Sequence, residues 1–205
     1  MSISKLISAL VIAGLFSVGS VQATTYQFGQ LTSGSDPAPS PVHFADLTIA
    51  DGDADGNWEF TLSALGLNST FGNDSFIGGL HVVENTGVGT QPSGVSGVSG
   101  GATVNFFDNN TGGGGLQYDY SFKFGPSAAN RLTDGESVSW VANNMGTFSS
   151  FADGQLALHV QGIDLPGFSG TNSAWYISPV PEPETYAMLL AGLGLLGFVV
   201  RRRKD

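Results

Sequence analysis

Asp51-Gly52-Asp53-Ala54-Asp55-Gly56 is the stretch of this 205-residue chain whose side chains are best spaced for chemistry. Three carboxylates at i, i+2 and i+4 followed by glycine open like a calcium loop, because a hard cation wants several oxygens and glycine permits the sharp turn that gathers them. The twelfth position is Leu62 where a helix–loop–helix calcium site needs a bidentate glutamate, and the segment after the loop alternates like a strand. Glu59, at position nine, is the remaining acidic side chain within reach. Two readings stand: a Ca²⁺ site built from Asp51, Asp53, Asp55 and Glu59 in a hairpin loop, or an acidic solvated turn. Asp134-Gly135-Glu136 has two carboxylates around a turn glycine and reads as a hairpin turn.

Other catalytic patterns are weaker. Gly97-Val98-Ser99-Gly100-Gly101 is formally G-x-S-x-G, with Asp134 and His159 following in hydrolase order. A nucleophile elbow needs a strand entering and a helix leaving, whereas Ser99 lies in a Gly/Ser/Val repeat. His43, His81 and His159 have no metal-ligand spacing and fall within strand patterns. Glu59 with Glu84 or Asp119 would suit glycoside hydrolysis only at a separation that spacing along the chain does not set. No catalytic residue is therefore assigned. Trp58, Trp140, Trp175 and Tyr176 are the aromatics for stacking on sugar rings. Trp58 and Trp140 fall on apolar alternating faces, and adjacent Trp175 and Tyr176 must point to opposite faces of a strand.

The elements that must position these groups are strands. Runs at 26–31, 42–49, 58–64, 76–83, 102–107, 116–124, 138–142, 156–163 and 175–178 are rich in β-branched and aromatic residues and are separated by Gly, Asn, Asp, Ser and Pro. Trp58-Phe60-Leu62-Ala64 and Leu116-Tyr118-Tyr120-Phe122-Phe124 alternate with polar residues at period two, giving one core face and one wet face. The expectation is an all-β fold: a single β-sandwich, jelly-roll-like, of about nine strands, with one helical turn near Phe148 to Phe151. Residues 33–41 read as a proline-bearing linker, and Gly87 to Gly101 and Gly112 to Gly115 as loops.

Charge is uneven. Of seven basic residues, only Lys123 and Arg131 lie between the two ends of the chain, against 14 acidic residues from Asp36 to Asp164, so that region carries about −12 (2 cationic, 14 acidic). Such a surface disfavours nucleic acid and anionic headgroups. There is no cysteine, which removes disulfides and thiol chemistry.

The two ends carry export signals. Lys5 followed by the apolar run Leu6 to Phe16, with Val21-Gln22-Ala23 supplying small residues before a cut, is a secretory signal helix cleaved after Ala23. At the other end come Pro181-Glu182-Pro183, the 15 uncharged residues Tyr186 to Val200, and Arg201-Arg202-Arg203-Lys204. The prolines keep their segment extended and accessible. The apolar run spans roughly 22 Å as a helix, a short membrane crossing. The four cations stay cytoplasmic, so the chain before them is exported.

Pro-Glu-Pro, short apolar helix and Arg-rich end together resemble the PEP-CTERM sorting signal of Gram-negative bacteria. The resemblance implies recognition and cleavage near Pro181, Glu182 and Pro183 by an exosortase, with Arg201 to Lys204 as the stop. It also implies passage through an inner-membrane intermediate to the cell surface or medium, in company with exopolysaccharide and biofilm. The middle, through Asn130 to Trp140 and Leu158 to Ile163, is similar to uncharacterised β-rich carriers of that signal. The expected organisation is a signal peptide over 1–23, a β-sandwich domain over 24–178 and a sorting signal over 179–205.

The function that follows is an exported, non-catalytic surface or matrix protein whose partners are the secretion machinery, exosortase and extracellular polysaccharide. The alternative is a Ca²⁺-assisted carbohydrate-binding module, with a secreted hydrolase third.

Overall fold

The computed structural model describes residues 23–34, 42–52, 56–82, 91–113, 115–146, 150–152, 154–167 and 169–178. The expected signal helix, sorting signal, Asp53, Asp55 and Glu84 lie outside the described residues, and no described helix is long and apolar enough to cross a membrane.

Among the described residues there are eleven strands: β1 Thr24–Phe28, β2 Gln30–Gly34, β3 Ala45–Asp51, β4 Trp58–Ala64, β5 Phe76–Val82, β6 Gly94–Gly100, β7 Val104–Gly113, β8 Leu116–Phe124, β9 Ser137–Asn143, β10 Leu156–Gln161 and β11 Ser173–Ile177. They form two antiparallel sheets, ordered β1-β3-β4-β9-β6 and β2-β11-β10-β5-β8-β7. Period two decides the faces. On β4, Trp58, Phe60, Leu62 and Ala64 are buried; Leu62 pairs with Leu47 of β3 and with Val138 of β9, and Phe60 with Trp140. From the other sheet, Phe122 of β8 brings its ring centroid to 5.4 Å from Phe60 and 5.2 Å from Trp140. Phe60 itself stacks on Trp140 at 5.3 Å. The inner faces thus meet through a block of aromatic rings, each worth about 1.5–3 kcal/mol of apolar burial.

The outer face of the five-stranded sheet is held by hydroxyl pairs between register partners. Thr61 and Ser139 approach to 2.8 Å, Ser63 and Ser137 to 2.8 Å, and Thr25 and Thr48 to 3.1 Å. These pairs stabilise a wet face without charge.

The structure differs from the sequence expectation at several points: Ser33 and Gly34, read as linker, end β2, and Gly112 and Gly113, read as loop, end β7. The run read as one strand over 26–31 is two, because Gly29 carries the chain from one sheet into the other. A Cβ at Gly29 would lie 1.9 Å from the Val42 carbonyl oxygen, and the Gly29 carbonyl accepts the Val42 N–H at 3.1 Å. Part of the segment read as a Gly/Ser loop is the edge strand β6, hydrogen-bonded to β9 with a bulge between Ser96 and Ser99. That strand is held mainly by backbone pairing, and its glycines and serines give no apolar alternation to read. Among the described residues helical turns lie at α1, Leu67–Phe71, and in a short 3-10 turn at Ala128–Asn130, while Phe148 of the expected turn lies outside the described residues. Leu67 and Phe71, four apart, are buried on one face, and Asp134 Oδ1 accepts the Leu67 N–H at 2.7 Å. Phe151 is instead non-helical, its N–H donating to the Tyr26 hydroxyl at 2.8 Å.

Candidate binding site on the six-stranded sheet

The residues that the sequence offered for catalysis are kept apart. Ser99 is exposed on β6 of one sheet and His159 lies on β10 of the other, while Asp134 is engaged at the start of α1. Glu59 is on the exposed face of β4 and Asp119 on β8 of the opposite sheet, so they do not form a pair. The Asp134–Glu136 turn binds protein donors: Glu136 Oε2 accepts from the Thr133 N–H and hydroxyl, both at 2.8 Å.

At the acidic loop, Asp51 ends β3 exposed, opposite Trp58, and the Gly52 N–H closes the hairpin on the Asn57 carbonyl at 2.9 Å. Glu59 pairs with Ala50, so period two directs Asp51 and Glu59 to opposite faces. Among the described residues no three His, Asp or Glu side chains converge as metal ligands. Ala23 is exposed, directly before β1.

What the fold assembles is on the outer face of the six-stranded sheet. A cavity of about 530 Å³ is lined by Trp175 of β11, His159 and Gln161 of β10, Phe76, Gly78 and His81 of β5, Lys123 of β8, and Asn105 and Phe107 of β7, with Phe124 and Pro126 at one side. That volume is in the range of small-ligand sites. Register explains the grouping: Trp175 pairs with His159, His159 with Gly79, and Gly79 with Lys123, one row across four strands. His81 pairs with Ser121 and Ala157 in the next row. Glycines make room here. A Cβ at Gly78 would come within 2.8 Å of Gln161 Oε1, and one at Gly113 within 2.6 Å of the Trp175 ring.

The rings interlock. Trp175 stacks on His159 at 4.3 Å with planes 10° apart and on Tyr118 at 5.5 Å with planes 14° apart, and His81 meets it edge-on at 4.7 Å. Gln161 Nε2 donates to His159 Nδ1 at 3.3 Å, which puts the His159 proton on Nε2. Burial pushes the His81 imidazole down to about 3, with His159 and Lys123 adding to the effect, and lowers His159 as well. Burial also pushes the Tyr118 phenol up to about 12. Both imidazoles are therefore neutral at pH 7. His81 Nδ1, the Tyr118 hydroxyl and the Ser121 hydroxyl are buried without a hydrogen-bond partner, a concentration of unmet polar capacity beneath and beside the cavity.

From the sequence, His81 and His159 have no metal-ligand spacing, fall in separate strand patterns, and are not brought together. The signal that unites them is the strand order β11-β10-β5-β8-β7, which follows no chain order. The sequence did require that Trp175 and Tyr176 face apart, and they do: Tyr176 is buried among the core residues and Trp175 lines the cavity.

In class, then, the described region is an all-β protein of two antiparallel sheets with a ring-lined outer cavity. Residues 179–204 match the PEP-CTERM protein-sorting motif, the mark of an exported protein sorted by exosortase. No curated protein matches the chain. A solved structure from work on pH-induced modulation of Streptococcus parasanguinis adhesion by Fap1 fimbriae aligns with 79% of this chain and 98% of its own at 13% identity, with a TM-score of 0.40. At that distance the likeness carries no argument.

Proposed function

We propose that this is a non-catalytic surface or extracellular-matrix protein, exported through an N-terminal signal cleaved after Ala23, retained briefly in the inner membrane by residues 186–200, and released when exosortase cuts near Pro181, Glu182 and Pro183. Its β domain, residues 24–178, then accompanies exopolysaccharide. The observation that carries this reading is the sorting motif at 179–204. The basic end Arg201 to Lys204 acts as the stop, since nothing else in the tail opposes translocation of its C-terminus.

Mass spectrometry of the mature protein from the producing bacterium is the test. The expected chain begins at Thr24 and ends near the Pro-Glu-Pro, and replacing Arg201, Arg202, Arg203 and Lys204 together by Ser leaves the tail unprocessed or lost to the periplasm. Mature wild-type protein that still carries Arg201 to Lys204 would overturn the reading.

A carbohydrate-binding module is the second reading, favoured by the cavity that Trp175, Phe76, Phe107, Asn105 and Gln161 line. Ring faces with amides beside them suit the apolar faces and hydroxyls of a sugar. Glycan binding compared with and without EDTA separates a calcium-assisted site at Asp51, Asp53, Asp55 and Glu59 from one that uses the sheet alone.

A further inference from the structure

Both cations of the region between the two terminal signals stand at the same face. Lys123 lines the cavity and holds its Nζ 4.6 Å from the centroid of the Phe107 ring. Arg131 places its guanidinium carbon 4.1 Å from the Phe76 ring, another lining residue, and its Nε donates to the carbonyl of Pro126 at 3.0 Å. Among the described residues neither has a carboxylate within salt-bridge distance; the ion pair found there is His43 with Asp46. In a chain with 17 acidic residues, no carboxylate of the described residues lines this cavity.

A second cavity of about 570 Å³ adjoins the first and shares Phe76 and Gln161 with it; Arg131, Asn172, Ser173 and Asp74 are among its other lining residues. The two share Phe76 and Gln161, with Lys123 lining the first and Arg131, together with Asp74, lining the second. From this arrangement we infer that the outer face of the six-stranded sheet binds an acidic polysaccharide, a polymer of sugar rings bearing carboxylates, with Lys123 and Arg131 each meeting one carboxylate. Phe107, 40% exposed, supplies an apolar contact, and Asn105 and Gln161 supply amides for hydroxyls. The inference rests on the exopolysaccharide reading and adds the substrate class and the residues.

The negative charge of the remaining surface does not forbid this. At 0.15 M salt the Debye length is about 8 Å, so acids elsewhere on the domain are screened while a contact with Lys123 or Arg131 is not. Duplex nucleic acid, with a charge every ~1.7 Å of its axis, meets far more of that repulsion than a polymer with one charge per ring. A neutral polysaccharide would leave Lys123 without an anionic counterpart among the described residues.

The test is calorimetric titration of the full chain in mild detergent, at 0.15 M salt, with oligogalacturonate and with maltooligosaccharide of equal length. Oligogalacturonate is expected to bind at least tenfold more tightly, and Lys123→Gln and Arg131→Gln each to weaken it by about tenfold with the β signal in circular dichroism retained. Trp175→Phe, chosen to keep the packing, is expected to weaken it by less. Equal binding of the neutral oligosaccharide, indifference to both cation variants, equal binding of duplex DNA, or no binding of oligogalacturonate would each overturn the inference. Tail processing, read separately by mass spectrometry, distinguishes failure of this site from failure of the sorting reading.

Discussion

Replacing His81 by Phe is expected to remove a large part of the acid sensitivity of this domain. The His81 ring is buried against Tyr118 and Trp175, with His159 and Lys123 as the charged or chargeable groups beside it, and its pKa falls from 6.5 to about 3. A group whose folded pKa is depressed favours folding fully above its unfolded pKa and loses that contribution as pH falls toward the folded one. At pH 5 the unfolded imidazole is almost wholly protonated and the folded one is still neutral. Between pH 7 and pH 5 the integrated loss is about 2 kcal/mol, with one pKa unit worth about 1.4 kcal/mol. For a domain of this size that lowers Tm by roughly 4–8 °C. His81→Phe keeps a ring in the same packing and abolishes the titration. Acidification also relieves repulsion among the many carboxylates, which acts in the opposite direction in both proteins, so the quantity to measure is the difference between them. Calorimetric scans at pH 7, 6 and 5 should show the wild type losing several degrees more than His81→Phe. Parallel pH profiles would refute the reasoning, because they would mean that His81 carries its proton in the folded state.

Phe122→Ala removes the ring that joins the two sheets through Phe60 and Trp140, and urea unfolding should show a loss of about 3–5 kcal/mol; a loss under ~1 kcal/mol would mean that the aromatic block does not hold the sheets together. On the calcium-assisted reading of the acidic loop, millimolar Ca²⁺ raises Tm by several degrees, since a site at ~100 times its Kd adds about 2.7 kcal/mol, and Asp53→Asn removes the gain. An unchanged Tm, or an equal rise with Mg²⁺, would leave an acidic turn. Gly29→Ala should destabilise the crossover by forcing a methyl against the Val42 carbonyl, seen as a lowered Tm without loss of β signal in circular dichroism; an unchanged Tm would show that the crossover yields.

Much of the fold was legible because the core uses strict alternation. Phe60 and Leu62 on β4, and Tyr120 and Phe122 on β8, announce both their strand and their buried face. The missed elements lack that signature. β6 pairs through its backbone while its glycines and serines carry no apolar period, and the break at Gly29 is set by the Val42 carbonyl, a partner 13 residues further along the chain. α1 is too short for a helical period, and its first N–H is satisfied by Asp134, far away in sequence.

By itself the sequence determined the sorting motif, since Pro-Glu-Pro, an apolar run and a basic end act as a linear signal, and it determined which strand faces are apolar, since period two is a local property. Only the tertiary structure decided which polar residues share a site. Trp175, His159, His81, Lys123 and Asn105 come from five strands that are neighbours in space through non-local antiparallel pairing. Nothing local marks those pairings, because each strand's hydrogen-bonding edges are the same backbone groups whatever its side chains. The choice of neighbour is made when the inner faces pack, and the outer cavity is assembled as its consequence.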